Sequence, residues 1–285
     1  MLSRRLAIRR MWRAARRTPL AVLGASLVLL FAIIAACASW IAPHDPLAQD
    51  LGASLQPPSP AHALGTDELG RDILSRLLVA SRVDLLIALG GIFLALAIAV
   101  PTGLAAGYLG GRVDTIVSSL TDSLLTFPTL VLAVILVSLV GSGGTSLVLA
   151  VALTTAPSIA RVVRGLALEL RGQEFVDAAR ALGAGHDRVV LRHILPNTVG
   201  RVVVISSVLA SQSILTVTAL GFLGLGIQPP APEWGTMLAK SRTHLASAPH
   251  LMVFPGLAIS GFVLGMNLIG DVLRDVLDPR TQWST

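Results

Sequence analysis

Phe175-Val-Asp-Ala-Ala-Arg-Ala-Leu-Gly183, followed closely by His193-Ile-Leu-Pro-Asn197, is a polar, arginine-studded stretch set between long apolar runs. Phe175, Ala178, Ala179 and Leu182 recur at helical spacing and share one face. Gly183 and Gly185 end that helix, glycine being the residue that most readily takes the left-handed conformation at a C-terminus. Asp187 can cap a second helix, in which Val190, Leu191, Ile194 and Leu195 form a new apolar stripe, and Pro196 opens the next apolar run. The spacing predicts a helix-turn-helix. Its two alanines make a face that another helix can approach closely. Glu174, Asp177, Arg180 and Asp187 offer charges at its ends to a soluble partner. A DNA-reading role fits poorly, because apolar segments pin the unit on both sides. An ordinary connecting loop is the plain alternative on these residues alone.

The flanks of this stretch identify the solvent. Of 285 residues, 53% are hydrophobic and only 13% charged, against roughly 25% charged in soluble domains; the mean hydropathy is +0.76. Leu20–Ile41 is unbroken and apolar, and about 20 such residues cross a bilayer as a helix. Further runs fall at roughly 85–106, 124–140, 146–160, 199–217 and 251–270. The expectation is an all-α membrane protein with six transmembrane helices.

The net charge of +6 would suggest nucleic acid in a soluble chain, but here the arginines flank the apolar runs. With the N-terminus inside, only Arg71, Arg76, Arg82, Lys240 and Arg242 of the 22 basic residues fall in outside segments. The positive-inside rule then gives an N-in, C-in topology. The chain divides into a basic cytoplasmic tail (1–19), a first span (20–42), an extracytoplasmic segment (43–82), a five-helix core (83–273) and a cytoplasmic tail (274–285). The core contains the 171–197 loop inside and a second extracytoplasmic loop at 218–250. In the segment 43–82, Thr66 can N-cap a helix with Asp67 and Glu68 in its first turn. Leu69, Ile73, Leu74, Leu77 and Leu78 share one face of it, so an amphipathic helix at the outer surface is expected.

Several chemistries are excluded. A phosphate-gripping loop needs Gly-x-x-x-x-Gly-Lys-Ser/Thr, and the only lysine, Lys240, follows Ala239. Gly221, Gly224 and Gly226 lack dinucleotide-fingerprint spacing and read as packing or bend glycines. Cys37 is alone, and the six histidines contain no close pair at metal-ligand spacing, so no metal site is expected. No His-Glu-x-x-His or Gly-x-Ser-x-Gly appears. No catalytic residues are expected. Pro101, Pro128, Pro157 and Pro255 interrupt four spans. Asp122 and Asp271 lie near span ends, where links to Arg112 or Arg274 are expected, and Asp84 is read the same way beside Arg82. The fifth span is the most polar, which makes Ser206, Ser207, Ser211 and Gln212 the pathway candidates.

The 171–197 stretch resembles the EAA loop by which membrane subunits of bacterial ATP-binding-cassette importers dock onto their ATPases. Gly65-Thr-Asp-Glu-Leu-Gly-Arg-Asp72, Phe127-Pro128, His193-Ile-Leu-Pro-Asn197, Phe222-Leu-Gly-Leu-Gly-Ile-Gln-Pro-Pro230, Trp234-Gly235 and the tail Asn267–Arg280 resemble one branch of that family. The branch is the C-type permease subunit of dipeptide, oligopeptide and nickel importers, and the likeness runs from about Leu20 to Arg280. Asp177 stands where the motif has Glu, and His193 replaces an apolar residue; the charge and the loop's shape survive. The resemblance implies a type I importer fold in the bacterial inner membrane, forming half of a pathway for short peptides, or alternatively for nickel or another small chelate. It implies a second homologous permease, two ATPase subunits that bind ATP and Mg, and an extracytoplasmic solute-binding protein, with no cofactor on this chain. It assigns ATPase docking to Glu174, Phe175, Asp177, Ala178, Ala179, Leu182, Gly183, Gly185 and Asp187. A secondary transporter is the competing class, but no internal repeat is visible.

Overall fold

The computed structural model describes residues 19–277, for 276 and 277 the backbone only. The arginines of the 1–18 tail and Arg280 lie outside the described residues. The helices are α1 (Pro19–Ile41), α2 (Ile73–Leu109), α3 (Gly111–Thr126), α4 (Thr129–Val140), α5 (Gly144–Arg171) and α6 (Glu174–Ala181). They continue as α7 (His186–Phe222), α8 (Trp234–Ser241) and α9 (His250–Leu277). Among the described residues the only β pairing is an isolated bridge between Thr66 and Asp72.

Helices α1, α2, α5, α7 and α9 are long and apolar enough to cross a membrane, and α3 with α4, bent by 97°, pass the same test only as a pair, as a broken sixth span or a re-entrant loop. The expected run 124–140 therefore straddles a corner. Phe127 is extended at φ −79° and ψ 138° because the ring of Pro128 disfavours helix for the residue before it. Pro128 itself has no N–H to continue the ladder. The 12-residue α4 is about 18 Å long, short of a hydrocarbon core of about 30 Å. Pro101, Pro157 and Pro255, by contrast, stay inside α2, α5 and α9.

The core is built on small residues. Gly91, Ala95, Ala99, Gly103 and Gly107 recur every fourth position along α2 and are all buried. A Cβ added at Gly91 would lie 2.3 Å from Val151, at Gly103 2.7 Å from the Ala160 carbonyl, and at Gly107 2.4 Å from the Arg164 carbonyl. The stripe thus sets α2 backbone-close against α5, the arrangement favoured where lipid removes the hydrophobic drive and packing must hold helices together. A second cluster joins α1, α8 and α9. Phe31 meets Trp234 and Phe262 edge-on, with ring centroids 6.0 and 5.6 Å apart, a favoured aromatic geometry. Of α1 only Ala21, Gly24, Phe31 and Ala38 are buried, so most of its surface faces outward.

The segment before α2 is a folded cap, and the amphipathic surface helix expected from Thr66 is not what forms. Helix starts at Ile73, and Asp72 caps it by accepting the Ser75 N–H at 2.8 Å. The local signals at Thr66 are spent on loop contacts. Its hydroxyl donates to the Ala53 carbonyl and accepts from the Gln56 N–H at 2.9 Å. The Asp67 carboxylate accepts from the N–H groups of Leu69 and Arg71 and from Arg71 Nε at 2.7 Å. Gly70, at φ +72°, stops any helix through this turn. Lys240 of α8 reaches Glu68 at 3.0 Å, tying the cap to α8. Burial opposes charge on Glu68. Its own backbone N–H, Lys240 and Arg71 outweigh that and hold the carboxyl below its ordinary value.

Asp84 is also placed differently from the expected link to Arg82. It is buried and accepts the backbone N–H of Trp234 at 3.0 Å. Neighbouring Glu233 N-caps α8, accepting from Gly235 N–H at 2.7 Å and Thr236 N–H at 2.9 Å. Gly221, Gly226 and Gly235 make room for that carboxyl; a Cβ on them would come within 2.2, 2.9 and 2.8 Å of its oxygens. Burial pushes Glu233 up to about 7, against the pull of those backbone donors.

Candidate functional site

At the far end of the bundle from the cap, α6 and the first turns of α7 lie across the ends of α2 and α5. Gly183 closes α6 at φ +82°. Its N–H donates to the Arg180 carbonyl at 2.9 Å and that of Ala184 to the Ala179 carbonyl at 3.0 Å, a Schellman motif that requires the left-handed residue. Gly185 does not share this role. It is extended at φ −66° and is itself the N-cap of α7. Asp187 accordingly sits inside the first turn of α7 rather than capping it, where a negative charge still favours the helix dipole. Pro196 stands in the first turn of the regular α-helical stretch Leu195–Phe222, as expected, but α7 already begins at His186 and reaches that stretch without a loop. A π-helical turn over Val190–Ile194 precedes it and opens the ladder where the proline ring would crowd the carbonyl four residues back.

The expected face Phe175/Ala178/Ala179/Leu182 is split. Val176 and Ala179 point inward with Val189 and Ile194, into the cluster that holds Leu104, Tyr108, Val163 and Ala167. Phe175 is 41% exposed, Leu182 89% and Leu191 63%. Ala178, Glu174, Asp177, Gly183, Gly185 and Asp187 are exposed as well. An eight-residue helix lying on a core can bury only one edge, and the branched Val176 occupies it. The result is a firmly seated base that presents apolar side chains outward, next to the Asp177–Arg180 pair at 3.5 Å.

Tyr108, the only tyrosine, sits beneath this unit and was not singled out by motif. It is 3% exposed. Its hydroxyl lies 3.0 Å from His186 Nδ1, and the Arg180 guanidinium stacks 5.3 Å above its ring. The available signal was a lone phenol in the last turn of an apolar run, since a buried hydroxyl needs a partner. Around the same end Arg164 grips Asp114 with two prongs, the second at 2.8 Å. Arg201 meets Glu169 at 3.0 Å. Asp122 pairs with Arg161 at 2.6 Å, not with Arg112 as expected, because α5 and not the α2–α3 corner lies beside that turn of α3. The last two pairs are exposed and worth at most about 1 kcal/mol each.

Among the fifth-span candidates, Ser206 and Ser207 donate to carbonyls of their own helix, Val202 and Val204, both at 2.7 Å. Ser211 donates to Val208 and meets Asn267 Oδ1 of α9 at 2.9 Å. Ser207 and Ser211 are buried, Ser206 half-buried, and Gln212 exposed.

Residues 99–283 match the family described as binding-protein-dependent transport system inner membrane component, and residues 7–58 match the N-terminal TM domain of oligopeptide transport permease C. The chain is similar to the glutathione transport system permease protein GsiD of Pectobacterium atrosepticum, at 42% identity over 95% of this chain and 91% of the relative. It is also similar to GsiD of Escherichia coli O6:K15:H31, at 43% identity over 94% and 89%, and to GsiD of Shigella dysenteriae, at 44% identity over 94% and 89%.

Proposed function

From the premise that this chain belongs to the binding-protein-dependent transport system inner membrane components, we propose that it forms half of an import pathway for short peptides and docks its α6–α7 unit onto a separate ATPase. Family membership makes it a permease component of an ATP-binding-cassette importer, multi-pass in the bacterial inner membrane, with ATP hydrolysis left to partner subunits. The relatives named for glutathione transport make a glutathione-sized peptide the first substrate to test.

The observation that carries the docking reading is the split of α6. Val176 and Ala179 fix the unit to the core while Phe175, Leu182 and Leu191 project from it. Apolar side chains presented on a rigid base suit insertion into a partner's groove, where buried anchors supply most of the binding energy. On this reading the α6 end is cytoplasmic, in keeping with the arginine bias, and the cap over 43–72 faces a solute-binding protein. The partner set is a second permease, two ATPase subunits and that binding protein.

The test uses Cys37→Ser as background, Cys37 being the sole cysteine. Leu182→Cys in the assembled transporter is expected to cross-link to the ATPase, and Leu182→Asp to abolish copurification of the ATPase while leaving the permease in the membrane. Normal copurification and transport by Leu182→Asp would refute docking through this face.

A further inference from the structure

Folding brings together two histidines that lie far apart in the sequence. His44 follows α1, and His62 sits on the loop before the cap's turn. Both meet Asp72 at the start of α2. His62 Nδ1 is 3.0 Å and His44 Nδ1 3.7 Å from Asp72 Oδ1, and the imidazole centroids are 4.8 Å apart. One ligand atom from each of the three lies within 4.8 Å of the other two. We propose that His44, His62 and Asp72 form a binding site for a divalent first-row transition ion, zinc in the first instance, which clasps the 43–62 chain to the head of α2.

The distances fit. Bonds of about 2.0–2.2 Å to nitrogen and oxygen in a tetrahedral site place ligand atoms about 3.3–3.5 Å apart. The two edges to Asp72 bracket that value, the third pair lies within 4.8 Å, and turning the exposed His44 ring would draw it closer. The carboxylate is already aimed. Its Oδ2 accepts from the Ser75 N–H and hydroxyl, both at 2.8 Å, which leaves Oδ1 turned to the histidines. The same Ser75 hydroxyl accepts the His44 backbone N–H at 3.0 Å and so fixes the backbone that carries the third ligand. Such outer contacts orient metal ligands and tune affinity. The Asp72 side chain is 1% exposed, His62 19% and His44 43%, so the site is closed on the protein side and open to solvent past His44. Three protein ligands with one open position suit zinc, cobalt or nickel. Two imidazoles disfavour magnesium and calcium, which take oxygen ligands.

The test takes the full-length chain in its assembled transporter, purified through a tag without histidines and stripped with chelator. Titration with zinc, and with cobalt for its ligand-field spectrum, is expected to show one saturable site per chain and a cobalt band typical of tetrahedral nitrogen and oxygen ligands. His44→Ala removes a surface side chain and keeps the His62–Asp72 contact, so the fold should persist while zinc affinity falls at least about 10-fold. His62→Ala, which also removes the 3.0 Å contact to Asp72, should lower the affinity at least as far. Zinc should raise the thermal midpoint of the parent and not that of either variant. Absence of saturable binding, or equal binding by the His44→Ala/His62→Ala double variant, overturns the proposal and leaves a hydrogen-bonded cluster only.

Discussion

Replacing Gly183 tests the α6–α7 unit at the point where backbone geometry is most demanding. Gly183 holds φ +82°, and an added Cβ would meet nothing within 4 Å. Contact therefore costs nothing, and the whole penalty is conformational. The left-handed region costs an L-residue about 1–2 kcal/mol, more for a β-branched one and less for asparagine, which visits it routinely. Should the turn relax instead, the bonds from Gly183 N–H to Arg180 and from Ala184 N–H to Ala179 are lost at about 1 kcal/mol each. Either route destabilises the observed turn by about 1–2 kcal/mol, a factor of about 5–30 in the ratio of formed to open turn. Membrane insertion depends on apolar burial elsewhere and should be unaffected. In transporter complexes reconstituted in nanodiscs, substrate-stimulated ATP hydrolysis is expected to fall at least about 5-fold for Gly183→Val, less for Gly183→Ala, and little for Gly183→Asn. Parent-like hydrolysis by the valine variant, or equal loss in the asparagine and valine variants, would show that the left-handed turn is not what positions the unit.

Tyr108→Phe keeps the ring beneath Arg180 but loses the bond to His186; it should loosen residues 174–189 by about 1 kcal/mol, read as faster amide exchange there, with Tyr108→Ala costing about 3–5 kcal/mol. Glu233 binds a proton more tightly folded than unfolded, its value rising from 4.5 to about 7. Its stabilising share is thus fully present below pH 4.5 and lost as pH rises through about 7. Thermal midpoints in detergent should fall across that window, and Glu233→Gln should flatten the slope. Gly221→Ala would set a methyl 2.2 Å from the Glu233 carboxyl, and overpacking of this kind costs about 1–3 kcal/mol, measurable as a lower midpoint at every pH.

The spans were legible because bilayer crossing depends on length and apolarity alone, which a linear reading captures. Gly183 was legible as a cap for a similar reason: the left-handed position is a local demand that one residue type meets. The rest depended on partners distant in sequence. At Thr66 the capping signals were real, but Ala53 and Gln56 claimed its hydroxyl, Arg71 claimed the Asp67 carboxylate, and the helix starts at Ile73 with Asp72 as its cap. The corner at Pro128 was hidden inside a run whose composition stays apolar on both sides of it. Helical spacing grouped Phe175 with Ala179, yet it could not say which edge would meet the core, since that is decided by the ends of α2 and α5. His44 and His62 looked unrelated because only the folded cap turns them toward one carboxylate.

The 37 residues of α2 make a rod about 55 Å long, well beyond the hydrocarbon thickness of about 30 Å. One tip is Asp72 with its histidines, and the other is Tyr108 under Arg180 and His186. A rod of that length acts as a lever. A tilt of about 5° about its middle would move each tip by roughly 2 Å in opposite senses, enough to make or break every contact described at either one. Pro101, about two turns back from the Tyr108 tip and lacking an N–H to give to the ladder, lies close to the end of the lever that carries the proposed docking unit.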